Sequence, residues 1–158
     1  MSTSAVPLLL DALVSTFTTA LATASLTAGP IVVYDGPTTS RDPQGEFVVV
    51  GDNGDVTDDA EASRTEQQWA GIGGRSKDET GGITCAVVCW SGDSEFKPLR
   101  DRAFVLLGLL ETALRANPQL GVLGPPGHAQ IETVDLRQVL VGGAVVRLVI
   151  TVTFQARI

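Results

Sequence analysis

The chain has 158 residues, room for one ordinary domain and too few for two. Hydrophobic residues make up 44% and charged residues 18%, which excludes a disordered acidic tail. Eleven Lys and Arg against eighteen Asp and Glu leave a net charge of −7, which disfavours dedicated DNA or RNA binding, since that affinity comes largely from cationic side chains on phosphates.

The first predicted element is a helix over Ser4–Ala24. Ser4 can cap it, and Pro7 fits an opening turn whose N–H groups lack helical partners. Val6, Leu10, Leu13, Phe17 and Leu21 recur at three- and four-residue spacing as its apolar stripe, and Gly29-Pro30 stops it. Although Ala22-Thr23-Ala24 resembles a signal-peptidase site, no Lys or Arg precedes Arg41 and Asp11 interrupts the apolar run. No stretch approaches the ~20 apolar residues needed to span a bilayer. The expectation is a soluble chain, cytoplasmic when made and without a membrane partner.

Strands follow. Ile31–Tyr34 and Glu46–Val50 flank a turn at Asp35-Gly36-Pro37. Gly51–Glu61 carries four Asp and one Glu without apolar period, so an exposed acidic loop is expected. Ser63–Ala70 alternates weakly and predicts a strand ending near Trp69, and Gly71–Gly82, rich in Gly and charge, predicts a long flexible hairpin tip. Ile83–Trp90 is apolar on both alternating sets and belongs in the middle of a covered sheet. Its Cys85 and Cys89 fall on one face ~13 Å apart, too far for a disulfide, and suit a reducing compartment as two buried thiols.

A second helix is bounded by Asp93 or Ser94 as cap, Pro98 in its opening turn and Asn117-Pro118 at its end. Phe96, Leu99, Ala103, Leu106, Leu107, Leu110, Ala113 and Leu114 form its broad apolar face, with Arg100, Arg102, Glu111 and Arg115 largely opposite. After the loop Gly121–Gly127 comes a hairpin of Ala129–Val141 and Val145–Arg157. A three-residue turn of Gly142, Gly143 and Ala144, with a bulge at the turn, would place Val146, Leu148, Ile150, Val152 and Phe154 opposite the apolar set containing Leu136 and Val134. The element order predicts an α+β fold: an antiparallel or mixed sheet of about five to six strands, flanked by two main helices, with a long C-terminal hairpin, in one domain over residues 1–158.

Chemistry is thinly provisioned. There is no P-loop, and Gly71-Ile72-Gly73-Gly74 precedes no helix. Asp52, Asp55, Asp58 and Asp59 could gather oxygens around Ca²⁺, but lack the ordered ligand spacing and closing Glu of an EF-hand, so a solvated loop is the better reading. His128 has no second His to share a metal, and Cys85 or Cys89 would need it nearby to act as a nucleophile. No catalytic residue, cofactor or metal site is expected. Trp69, beside the Gly-rich tip, is the better candidate for a partner contact, whereas Trp90 suits the core.

Several local phrases, taken in order, resemble the tail terminator proteins of long-tailed, siphovirus-type bacteriophages, especially those infecting actinobacteria. They are Trp69-Ala70-Gly71-Ile72-Gly73-Gly74-Arg75-Ser76-Lys77-Asp78-Glu79, the apolar strand into Trp90-Ser91-Gly92-Asp93, Arg100-Asp101-Arg102-Ala103-Phe104, Leu114-Arg115-Ala116-Asn117-Pro118-Gln119-Leu120-Gly121, and Gly142-Gly143-Ala144-Val145-Val146-Arg147-Leu148. The likeness runs from about Thr65 to the C-terminus, and earlier by element order alone. It implies a virion structural protein, assembled in the host cytoplasm, whose ring (typically a hexamer) sits at the head-proximal end of the tail. Such a ring halts tube polymerisation and docks the head-tail connector or stopper protein. Its partners would be copies of itself, the tail tube protein and that connector, with DNA passing through the lumen without specific binding. Asp52, Asp55, Asp58 and Asp59 would line the lumen or a docking rim, where like-charge repulsion keeps DNA from sticking. Trp69, Arg75 and Lys77 would contact a neighbouring subunit. Alternatives are a neck or head-completion connector, and a small α+β ligand-binding domain or enzyme using the Asp loop and His128.

Overall fold

The computed structural model describes residues 2–22, 31–38 and 45–158. In chain order these form α1 (Val6–Ala22), β1 (Val32–Asp35), β2 (Glu46–Val50), β3 (Ser63–Trp69), β4 (Lys77–Ser91), α2 (Phe96–Ala116), β5 (His128–Leu140) and β6 (Ala144–Arg157). The six described strands make one mixed sheet in the order β1-β2-β4-β6-β5, with β3 also on β4. Only β1–β2 is parallel. The predicted α+β class and hairpin are therefore present. The end of the predicted first helix and its Gly29-Pro30 stop lie outside the described residues.

β4 organises the sheet because it is long enough to take two partners on one edge. Its first half pairs with β3, Ser63 facing Ile83, and its second half with β2, Val50 facing Cys85. The sequence placed Lys77–Gly82 in a flexible tip, but these residues are strand. Gly81 and Gly82 are suited to the close approach of flanking strands: a Cβ on Gly82 would lie 2.8 Å from Thr151 Cγ2, and one on Gly81 would strike the Arg64 carbonyl. The true tip is short, closed by the Ala70 N–H donating to the Ser76 carbonyl at 3.0 Å.

Both helices cover one face of this sheet. Leu9, Leu13, Phe17 and Leu21 of α1 and Ala103, Leu106, Leu107, Leu110 and Leu114 of α2 bury against Cys85, Val87, Leu148 and Ile150. Each large side chain withdrawn from water contributes roughly 1.5–3 kcal/mol, so this layer holds the domain together. The α1 stripe centres on Leu9, with Val6 and Leu10 only partly buried at its margins, a slight rotation from the predicted stripe. On α2 the N-cap residue is Glu95, without a side-chain cap bond, in place of Asp93 or Ser94. Arg102, expected to point away, grips Glu46 of β2 with Nε–Oε1 2.8 Å and Nη2–Oε2 3.1 Å and pins α2 to the sheet.

In the hairpin, Leu136 faces Leu148 and Val134 faces Ile150, the predicted face pairing. The turn is Val141-Gly142-Gly143, one residue earlier than expected, and Leu140 faces Ala144. The bulge falls at Glu132, far from the turn. An extra residue there switches the alternation, so Ile131 and Ala129 join the helix-covered face opposite Val152 and Phe154. The loop before β5 is tied down as well. Leu120 and Leu123 are buried and the Ala129 N–H donates to the Pro118 carbonyl at 2.7 Å, which holds Gly121–Gly127 against the body.

Candidate functional site

Two surfaces carry the residues singled out by the sequence. The first is the acidic loop after β2, which lies on the sheet face that the helices leave uncovered. Gly54 adopts φ +74° above Val88 and Ala86, where a Cβ would come within 2.9 Å of Val88 Cγ2. The loop thereby buries Val49, Ala86 and Val88 without a second helical layer. Its carboxylates mostly fold the loop itself. Asp52 Oδ2 accepts from the Gly54 N–H at 2.8 Å, and Asp55 Oδ1 accepts from the Thr57 N–H at 3.0 Å and hydroxyl at 2.8 Å. These are the local turns that Asp side chains form with backbone two residues on.

Arg147 of β6 reaches into this loop. Nη1 donates to the Asn53 carbonyl and Nη2 to Asp55 Oδ2, both at 3.1 Å. The Thr57 amide and hydroxyl hold the Asp55 carboxyl below the usual carboxylate range against the opposing effect of burial, with a smaller lowering from the charge and hydrogen bond of Arg147. The expected uniformly solvated loop is thus corrected: Asp52 is 6% exposed, Asp55 is half-buried, and Asp58 and Asp59 face solvent. Among the described residues, no three of Asp, Glu, His and Cys are grouped as a metal centre. A cavity of about 540 Å³ runs between the loop and Pro37-Thr38.

The second surface is the β3–β4 tip. Trp69 and Lys77 face each other across the strands, Lys77 Nζ lying 5.2 Å from the Trp69 ring centroid. Trp69 is 67% exposed, and Arg75 and Ile72 are also in solvent. The structure therefore brings Trp69, Arg75 and Lys77 together at one end of β4. Lys77 and Ala86 are nine residues apart on that strand, so this tip and the acidic loop stand about 30 Å apart.

The remaining candidates do not converge. Cys85 and Cys89 are buried, with thiols pushed up to about 12 by that burial. His128 is exposed at the start of β5, level with Gln155, whereas Cys85 is level with Ile150. Five residues of strand separate those levels, about 17 Å, which excludes a Cys85–His128 catalytic pair.

One residue that sequence reasoning passed over ties the tip to the body. Glu79, fully buried, accepts from the Ser4 hydroxyl and the Ala5 N–H, each at 2.6 Å, and from Gln67 Nε2 at 3.1 Å. Gln67 Nε2 also donates to the Thr3 carbonyl at 2.8 Å. The α1 N-terminus, which has no acidic residue in its first turn, thus obtains its negative charge from β4. The available signal was a helix start without an acidic residue in its first turn, which could not say which distant carboxylate would serve it.

No protein-family model matches the chain. No curated protein matches it either. Among solved structures, the fold is similar to that of a chain in the virion of a native gene transfer agent particle. The two share a TM-score of 0.56 and 14% identity, over 98% of this chain and 100% of that one. At that identity the likeness is one of fold. It extends over the whole α+β body.

No helix among the described residues is long and apolar enough to cross a membrane.

Proposed function

We propose that this chain is a structural virion protein that acts as a tail terminator. It forms a ring, a hexamer by the resemblance of its sequence, which caps the tail tube, stops its polymerisation and docks the head-tail connector. It works at the head-proximal end of the tail and carries no bond-making centre. The observation that carries the reading is the whole-length likeness in fold to a chain of a virion particle. Two further features support it. The cysteines and the histidine stand apart, and the candidate contact residues lie on two surfaces about 30 Å apart along β4, as a subunit with two different neighbours requires.

In this reading Asp58 and Asp59, the exposed members of the acidic loop, face the lumen or a docking rim, with Asp52 and Asp55 holding the loop in shape. DNA passes without specific binding because like charges repel it. Trp69, Arg75 and Lys77 meet the adjacent subunit. The test is polymerisation of purified tail tube protein with and without this chain. Shortened tubes bearing a ring at one end are expected. Unchanged tube lengths with bare ends would contradict the proposal.

A further inference from the structure

Among the described residues, the outer edge of β5 has no strand beside it, although the strand runs for thirteen residues. Such an edge offers unpaired backbone N–H and C=O groups to any passing strand, and proteins normally blunt it with inward charges, proline or a covering element. Here Val134, Leu136, Val139 and Leu140 stand 40–62% exposed along it. The Glu132 bulge disturbs only the far half of the edge, and Thr133–Leu140 stays regular.

The charges on this stretch say what covers it. Asp135 and Arg137 are both exposed, lie on one face of the strand and bracket Leu136. Neither has an ion-pair partner among the described residues. Arg137 has Arg147 as its cross-strand neighbour, and that residue is already committed to Asp55. A motif of acid, leucine and base is its own complement when read antiparallel. With Leu136 on a two-fold axis, Asp135 of each copy falls opposite Arg137 of the other, and Leu136 meets Leu136.

We propose that the β5 edge pairs antiparallel with the β5 edge of a second copy about a two-fold axis through Leu136. This contact is isologous and closes on itself, so it hides an adhesive edge without open-ended growth. It is distinct from the head-to-tail contacts of a ring whose two faces differ, which contains no two-fold axis, and so belongs to the free chain before such a ring forms.

Oxidative cross-linking tests it independently of any larger assembly. Directly opposed residues in an antiparallel pair have Cα atoms about 4.5–5.5 Å apart, within disulfide range. Leu136→Cys should give a cross-linked dimer, whereas Val134→Cys, displaced from its own copy by four residues or about 13 Å, should not. In the Leu136→Cys background, Asp135→Arg and Arg137→Asp should each lower the cross-linked yield about tenfold by opposing like charges. Mixing those two variants should restore it, because each then meets its complement. Circular dichroism checks that these exposed substitutions leave the fold intact. Absence of a Leu136→Cys dimer, equal yield from Val134→Cys, or failure of the mixture to recover would each overturn the proposal.

Discussion

Replacing Glu79 by Ala should be among the most destabilising single changes in the chain, although Glu79 lies in a segment whose composition suggests a loop. The carboxylate accepts from the Ser4 hydroxyl, the Ala5 N–H and the Gln67 amide in a space closed to water. An unpaired buried donor costs about 1–3 kcal/mol. Loss of negative charge beside a helix N-terminus adds about 0.3–1 kcal/mol. Because Gln67 and Ser4 keep access to other acceptors at the partly exposed rim, only the Ala5 N–H is stranded, and a total of about 1–4 kcal/mol is expected. For a chain of this size that lowers Tm by roughly 3–16 °C. Glu79→Gln, which keeps a carbonyl acceptor but not the charge, should cost about 1–2 kcal/mol. Urea denaturation followed by circular dichroism measures both, and the double variant with Ser4→Ala should lose less than the sum of the single losses. A Glu79→Ala protein within 0.5 kcal/mol of the wild type, or strictly additive losses, would refute the idea that this carboxylate caps α1.

The acidic loop gives two further expectations. Gly54→Val forces a side chain against Val88 at φ +74° and should cost about 1–3 kcal/mol in urea denaturation, with new proteolytic cleavage between Asp55 and Ala60. The Asp55 carboxyl has a folded pKa below its unfolded value of about 3.9, so its contribution is complete above that pH and is lost as the pH falls through the lowered pKa. Asp55→Asn should therefore be less stable than wild type at pH 7, with the gap narrowing below about pH 4 in a pH series of urea melts; a constant gap would contradict the assignment. Finally, both thiols should resist an aromatic disulfide reagent at pH 8 in the native protein and react together on unfolding, as burial on the helix-covered face requires.

The elements most legible in the sequence were those whose periodicity is set by burial on one side. α2 shows it best: Ala103, Leu106, Leu107, Leu110 and Leu114 are its buried face, and its helical span ends at Asn117. The hairpin faces were equally readable, because a slip of one residue would have put Leu148 and Ile150 opposite Arg137 and Asp135. Tertiary context decided the rest. The start of β4 looks like a loop because Gly81 and Gly82 are poor strand formers, yet strands packed close on either side select them. The Glu132 bulge leaves only an irregular step from Ile131 to Val134 in the pattern. Of the candidate surfaces, clustering of Trp69, Arg75 and Lys77 followed from a short hairpin, whereas the division of labour among the four Asp residues depends on Arg147, ninety-two residues from Asp55 in sequence.

The account's central claim is that this chain functions by assembling. Negative-stain imaging of the purified protein added to tail tubes tests it most directly. Annular particles with a central opening, seated on tube ends, are the predicted result. Tubes with open ends amid scattered single 16.5 kDa chains would contradict it.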